Sequence, residues 1–173
     1  AGLNFVERTM ASELLRYGFV DRGVRVQGTV LHVVHPRHFF MADETGPVVV
    51  HLEQPSTFQR GDLVSVWGVP RAAKLHVHIG AAEGVRLGSG VLPEPKSIER
   101  VEDSSSEVDG RRIRVAGKVV SHTRNTWNSV TYASLVLQLR DRTFNALLPL
   151  DTDLDKLFPL GTEAEFVGVC EVD

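Results

Sequence analysis

The chain has 173 residues, of which 42% are hydrophobic, and a formal net charge of -3. This is the composition of an ordinary globular protein, and no apolar run reaches the roughly 18 residues that a membrane helix needs. Residues 1–88 carry nine Lys/Arg against eight Asp/Glu, and residues 89–173 carry ten against fourteen. Neither half therefore has the basic excess that is typical of nucleic-acid-binding domains.

Two imperfect copies of one pattern make up most of the chain. Each copy has a strand with a central glycine, a pair of apolar strands, and a later strand entered through another glycine. Gly28 and Gly61 mark these positions in the first copy, and Gly117 and Gly161 mark them in the second. The repeat predicts an all-β protein with short helices, built from two tandem five-stranded barrels.

Residues 1–20 show a roughly helical spacing of apolar side chains, which predicts a lead-in helix. The first barrel is expected over 21–88, with its strands at 24–34, 37–43, 47–53, 63–69 and 75–87. A hairpin turn is predicted at Asp43 to Gly46, where turn chemistry explains the acidic side chains. Gly28 is expected to bend the first strand so that the strand pairs with different neighbours at its two ends.

Residues 89–111 have the Gly, Pro, Ser and acidic composition of a linker, with a short helical turn over 96–101. The second barrel is expected over 112–173. In this copy, Trp127 to Ser129 lie in a loop between long strands, and a short helix over 151–158 begins at Thr152 or Asp153. No fifth strand follows the fourth, so the second barrel is predicted to be incomplete.

The strand and glycine motifs resemble the OB-like extracytoplasmic sensor regions of bacterial membrane-bound histidine kinases and diguanylate cyclases. The resemblance covers about residues 20–173 and rests on the segments 24–30, 39–46, 61–68, 112–118 and 166–170. It implies a non-catalytic sensory fragment on the extracytoplasmic face, attached to the membrane only through flanking segments. It also implies that a small molecule or a periplasmic protein is the partner, and it allows a homodimer. It transfers no catalytic or ligand residues.

Several aromatic residues are candidates for a binding surface. Phe39 and Phe40 lie on strand two, where OB-folds often carry base-stacking rings, but alternation sends them to opposite faces and one to the core. Trp67 is either a core anchor or a surface platform. Arg124 and Trp127, in the second copy, either contact a ligand or pack on their own barrel. A single-stranded nucleic-acid-binding OB protein is thus the alternative function.

Six of the seven histidines lie in the first copy. His76 and His78 share one face of a strand and form the best candidate pair for a metal ion, although solvent-facing or barrel-rim histidines without a metal are the favoured interpretation. No cofactor is predicted. The sequence shows no catalytic constellation, which favours a binding protein over an enzyme. The lone Cys170 excludes an intramolecular disulfide and is expected to be a buried thiol.

Overall fold

The computed structural model describes residues 8–17, 23–71, 77–100, 106–127, 130–149 and 153–172. It is an all-β structure that divides into two compact units. The first comprises Ala1–Glu94, Val108–Arg112 and Val169–Asp173, and the second comprises Pro95–Glu107 and Ile113–Gly168. In the parts of the chain that are described, neither helix has the length and hydropathy needed to cross a membrane.

The first unit contains a closed five-stranded barrel, as the sequence predicted. Its elements are α1 (Ala11–Tyr17), β1 (Val24–His35), β2 (His38–Ala42), β3 (Pro47–Leu52), β4 (Asp62–Arg71) and β5 (Val77–Ser89). The strands follow the order β1-β2-β3-β5-β4, and β4 pairs again with β1. Only the pairing of β3 with β5 is parallel among these strands.

Strand β1 changes its pairing partner next to Gly28, so it pairs with different neighbours at its two ends, as the sequence predicts. Residues 24–29 of the strand pair with β4, whereas the pairing with β2 begins at Thr29 and runs to His35. A side chain at Gly28 would overlap the backbone of Ala42 in the adjacent strand. The position therefore needs glycine because two strands approach there too closely for a Cβ atom.

Alternating side chains fill the interior of the barrel. The inward-facing residues are almost all aliphatic, and Phe39 and Met41 add the largest side chains. Helix α1 adds Ala11 and Leu14 to the same cluster. Burial of this apolar surface is the main force that holds the unit together, at about 25 cal/mol per Å². The buried members are Ala11, Leu14, Val24, Val26, Val30, Phe39, Met41, Val48, Val50, Leu52, Val64, Val66, Val77, Ile79 and Ala82.

The second unit contains an open sheet in the described residues, and a second closed barrel is not observed there. Its elements are β6 (Lys96–Ile98), β7 (Arg112–Trp127), β8 (Val130–Leu139), β9 (Arg142–Pro149), α2 (Leu154–Leu157) and β10 (Glu163–Val169). The sheet order is β10-β7-β8-β9, with β6 also paired to β7. Val119, Leu135 and Leu137 form its buried centre.

Two local predictions in this unit had different outcomes. Asp153 caps α2, and its side chain accepts a hydrogen bond from the backbone N–H of Lys156, as expected. The helical turn predicted over 96–101 is wrong, because Lys96–Ile98 forms strand β6. The strand pairs in parallel with residues 113–115 of β7 and buries Ile98, so tertiary pairing outweighs the local preference.

Candidate functional site

Three histidines lie on the outer face of the first barrel, one on each of β2, β3 and β5. They are His38, His51 and His78. Side chains alternate along a strand, so each histidine points outward because its sequence neighbours fill the interior. Those neighbours are Phe39, Val50, Leu52, Val77 and Ile79.

The three imidazole rings form a stacked row across the strands. The ring centroids of His38 and His51 are 4.3 Å apart with an angle of 20° between the ring planes, and those of His51 and His78 are 5.5 Å apart with 24°. His38 and His51 are direct partners in the β2–β3 ladder. The centroid of the Phe40 ring, two residues along the same strand, lies 5.9 Å from that of His38.

The environment of this row disfavours protonation. Burial and the neighbouring histidines lower the pKa of His38 to about 4. Its Nε2 atom is buried and has no hydrogen-bond partner among the described residues. Burial and the charge of Arg71 lower the pKa of His51. His38 is therefore a neutral ring at pH 7, and the pKa of His51 shifts in the same direction.

The structure describes only one of the two histidines that the sequence suggests as a metal-binding pair. His76 lies outside the described residues, and His78 belongs to the stacked row. Within the described ranges, no group of three or more His, Cys, Asp or Glu side chains is arranged to hold a metal ion. The His76 and His78 pair stays a prediction.

The two adjacent phenylalanines of β2 are both taken up by packing. Phe39 lies in the core, where its ring meets that of Phe58 edge-to-face at 5.6 Å. Phe40 points to the outer face but is only 5% exposed, because Leu92 and Val169 pack against its cluster there. The outer face of β2 and β3 is thus covered around Phe40.

A different outer face of the barrel exposes apolar side chains. On β4, Trp67 is 40% and Val69 is 43% exposed, and on β5, Val85 is 45% and Leu87 is 47% exposed. These four residues are called the β4–β5 outer face below. The inward positions of the same strands, such as Val64 and Val66, are fully buried. The structure therefore places Trp67 at the surface, which was one of its two predicted roles.

Opposite charges flank the indole of Trp67 in strand register. Trp67 is paired with Arg25 on β1 and with Glu83 on β5. The guanidinium of Arg25 is oriented by a hydrogen bond of 2.8 Å from its Nε to the hydroxyl of Ser65. Across three strands, the outer surface thus presents a cation, an aromatic ring and a carboxylate in one row.

The remaining candidates, Arg124 and Trp127, belong to the second unit. Both lie on β7 near its hairpin with β8, where Arg124 pairs with Ala133 and Trp127 pairs with Val130. The side chain of Arg124 is exposed. The other predicted aromatic residues all lie in the first unit, so the candidate residues are distributed over both units.

Sequence reasoning counted His51 among the six histidines of the first copy without assigning it to a site, and it overlooked Val85 and Leu87. A signal for His51 was present, because the hairpin predicted at 43–46 pairs residue 42 with 47 and therefore residue 38 with 51. Val85 and Leu87 alternate with polar or small residues along β5. Alternation places Val85 on the same face as Glu83, whereas a register shift between β4 and β5 falls at Leu87, so the period does not fix the face of Leu87.

Comparisons with known proteins give little that bears on function. No protein-family model and no curated protein matches the chain. Among solved structures, the chain is similar to one described as "Structural mimicry for functional antagonism", with a TM-score of 0.41 and 10% sequence identity over 83% of each chain. A likeness of this size supports no conclusion on fold or function.

Proposed function

We propose that this chain is a non-catalytic binding module from the extracytoplasmic sensory region of a bacterial membrane-bound signalling protein, and that its first unit is an OB-type barrel. Support for the barrel type comes from the closed order β1-β2-β3-β5-β4 with a parallel β3–β5 pair, which suits a five-stranded Greek-key barrel. Support for the sensory setting comes from the strand and glycine motifs of both copies.

The observation that carries the binding role is the β4–β5 outer face. The barrel interior is filled with side chains, so a partner has to bind outside. On this face Trp67, Val69, Val85 and Leu87 remain two-fifths or more exposed. Neighbouring apolar residues on a surface mark interaction sites, and tryptophan is enriched among residues that dominate protein interfaces. The module therefore binds a protein partner.

A nucleic-acid ligand is less well supported by the same barrel. OB-folds bind oligonucleotides on the face of strands 2 and 3, where Phe40 is packed under Leu92 and Val169. The net charge of -3 also disfavours contacts with phosphates. Fluorescence anisotropy with a labelled single strand at low salt should detect no binding tighter than millimolar. Tighter binding would favour the nucleic-acid alternative.

The sensory role is tested by the gene that encodes the chain and by the signalling output of its product. The gene should encode an apolar span of about 20 residues together with a kinase or cyclase domain. In that full-length protein, Trp67→Ser should change the output, because it removes the centre of the β4–β5 outer face. Leu160→Ser is the matched control, since Leu160 is also exposed but lies in the second unit. A gene without a signalling domain would refute the proposal.

A further inference from the structure

The β4–β5 outer face also has features that identify its occupant. We propose that this face binds the same face of a second copy of the chain, in a two-fold dimer whose axis runs along β4. The inference rests on the proposed function, because it names the partner of that binding surface. It follows from the order of charges around Trp67 and from the exposed apolar residues beside it.

The charges make the face complementary to itself. Arg25, Trp67 and Glu83 are aligned across β1, β4 and β5. Consider a two-fold axis that runs parallel to β4, midway between the two facing sheets. This axis keeps each residue at the same height along the strand and places β1 of one copy opposite β5 of the other. It therefore sets Arg25 opposite Glu83 of the partner subunit, and Glu83 opposite the partner's Arg25. Both contacts join opposite charges in one isologous interface.

The same row of charges disfavours the other face-to-face arrangement. A two-fold axis perpendicular to the strands reverses the direction of each strand in the second copy. It places each strand opposite the same strand of the other copy. It would set Arg25 against the partner's Arg25, and Glu83 against the partner's Glu83. Facing like charges are repulsive and exclude wrong pairings. The order of charges thus selects the arrangement in which β4 strands run in the same direction.

The apolar residues supply the centre of this interface. Trp67 and Val69, both on β4, lie next to the axis, whereas Val85 is in the register row of Ser65 and Gln27 and lies opposite Gln27 of the partner subunit. Two sheets that pack face to face keep their strand directions within about 30° of each other, which suits an axis along the strands. The half-buried Arg25 and the exposed Glu83 then form a polar rim around the indole rings.

A charge exchange tests the geometry directly. In sedimentation equilibrium of the whole chain, the native protein should dimerise with a Kd of roughly micromolar magnitude, at the weak end of the range for specific protein interfaces. Arg25→Glu and Glu83→Arg should each weaken dimerisation by about tenfold or more, because each variant places like charges together in its own dimer. An equimolar mixture of the two variants should regain the native affinity, because both pairs of facing charges are then opposite.

The mixture also serves as the folding control, since a misfolded variant would not restore dimerisation. Glu83→Arg changes an exposed side chain and leaves the hydrogen bond from Arg25 to Ser65 in place. A native chain that stays monomeric at millimolar concentration overturns the proposal. So do single variants that dimerise like the native chain, and a mixture that fails to recover.

Crosslinking separates failure of the dimer from failure of the binding role. A photo-crosslinking side chain at Leu87, introduced into the full-length protein in cells, should give a product with the mass of two copies. The same group at Leu160 should give none. A Leu87 product of a different mass overturns self-association but leaves a binding role for this face. No product from Leu87 overturns both.

Discussion

The carboxylate of Asp43, in the β2–β3 hairpin, accepts a hydrogen bond of 2.7 Å from the backbone N–H of Ala11, the first residue of α1. Its other oxygen accepts hydrogen bonds from the backbone N–H groups of Thr45 and Gly46. The hydroxyl of Thr45 in turn accepts one from the N–H of Ser12. One acidic side chain therefore satisfies donors of the turn and of a helix start that is distant in sequence.

Replacing this side chain should loosen the turn and the helix together. For Asp43→Ala we expect the free energy of unfolding to fall by about 1–3 kcal/mol, because the bond to the helix start and three hydrogen bonds within the turn are lost. The adjacent Glu44→Ala is the matched control, since Glu44 is exposed and should change stability by about 0.5 kcal/mol or less. Urea unfolding measures both. If Asp43→Ala were as stable as Glu44→Ala, the Asp43 side chain would not hold the turn and the helix start together.

A methyl group at Gly28 should be poorly tolerated. Gly28→Ala places a Cβ atom against the backbone of Ala42, and we expect a loss of about 1–3 kcal/mol, as for other overpacked sites. Gly23→Ala provides the comparison, because its Cβ would make only an ordinary contact, at 3.7 Å from the carbonyl oxygen of Gly68. Chemical denaturation should separate the two variants, and similar midpoints would contradict the close approach of β1 and β2.

Truncation of Phe40 should reveal how much the covered face contributes to stability. Phe40→Ala removes a nearly buried ring that packs with Leu31 and Val49, and the expected loss is about 3–5 kcal/mol. Val91→Ala is the control, because Val91 is an apolar residue of the first unit that is 87% exposed. If Phe40→Ala were as stable as Val91→Ala in thermal and urea unfolding, the covering segments would not pack on this face.

The histidine row should make stability depend on pH in a defined window. The pKa of His38 is 6.5 in the unfolded chain and about 4 in the folded one, so the unfolded state binds more protons between these values. The lowered pKa of His38 therefore contributes fully to the free energy of unfolding above pH 6.5, and this contribution is lost as the pH falls towards 4. We expect a loss of roughly 1–2 kcal/mol, since the ring is only partly buried and stays partly solvated. The lowered pKa values of His32 and His51 act in the same direction.

Unfolding measured from pH 7.5 to 4 checks this dependence. His38→Phe keeps an aromatic ring in the row but removes the titrating group, so it should flatten the profile relative to the native chain. His122→Gln changes a histidine of the second unit and should leave the slope of the first unit as it is. A native profile that is flat between pH 6.5 and 5 would show that His38 titrates normally.

Local patterns in the sequence were sufficient to predict the strands of the first barrel. Alternation along β4 separates the buried Val64 and Val66 from the exposed Trp67, and Gly28 marks the place where β1 changes its pairing partner. The burial of Phe40 could not be predicted in this way, because the residues that cover it are Leu92 and Val169. Both residues are distant from Phe40 in the sequence. The alternation of side chains along β2 does not indicate which face a distant segment will cover.

The sequence predicts that the second copy has four strands of the pattern, lacks the fifth and is an incomplete barrel. Its β7, β8, β9 and β10 correspond to these four strands, and in the described residues they form an open sheet. Closure of the first barrel depends on β5, which pairs with both β3 and β4. The described strands of the second unit do not include a counterpart of β5, and without that strand the same pattern forms an open sheet.

Closure of the first barrel also governs how the chain folds. The β1–β4 ladder joins residues that lie between 34 positions (Thr29 and Leu63) and 44 positions (Val24 and Gly68) apart, whereas the β1–β2 and β2–β3 pairs are local hairpins. Barrels with such distant pairings fold in milliseconds to seconds, because the entropy of loop closure is lost before the contacts form. Until β4 pairs with β1, the backbone N–H and C=O groups on that edge of β1 are unpaired and can pair with another chain. Refolding should therefore be most prone to aggregation before this late step, and the closed barrel ends that risk by leaving no free strand edge.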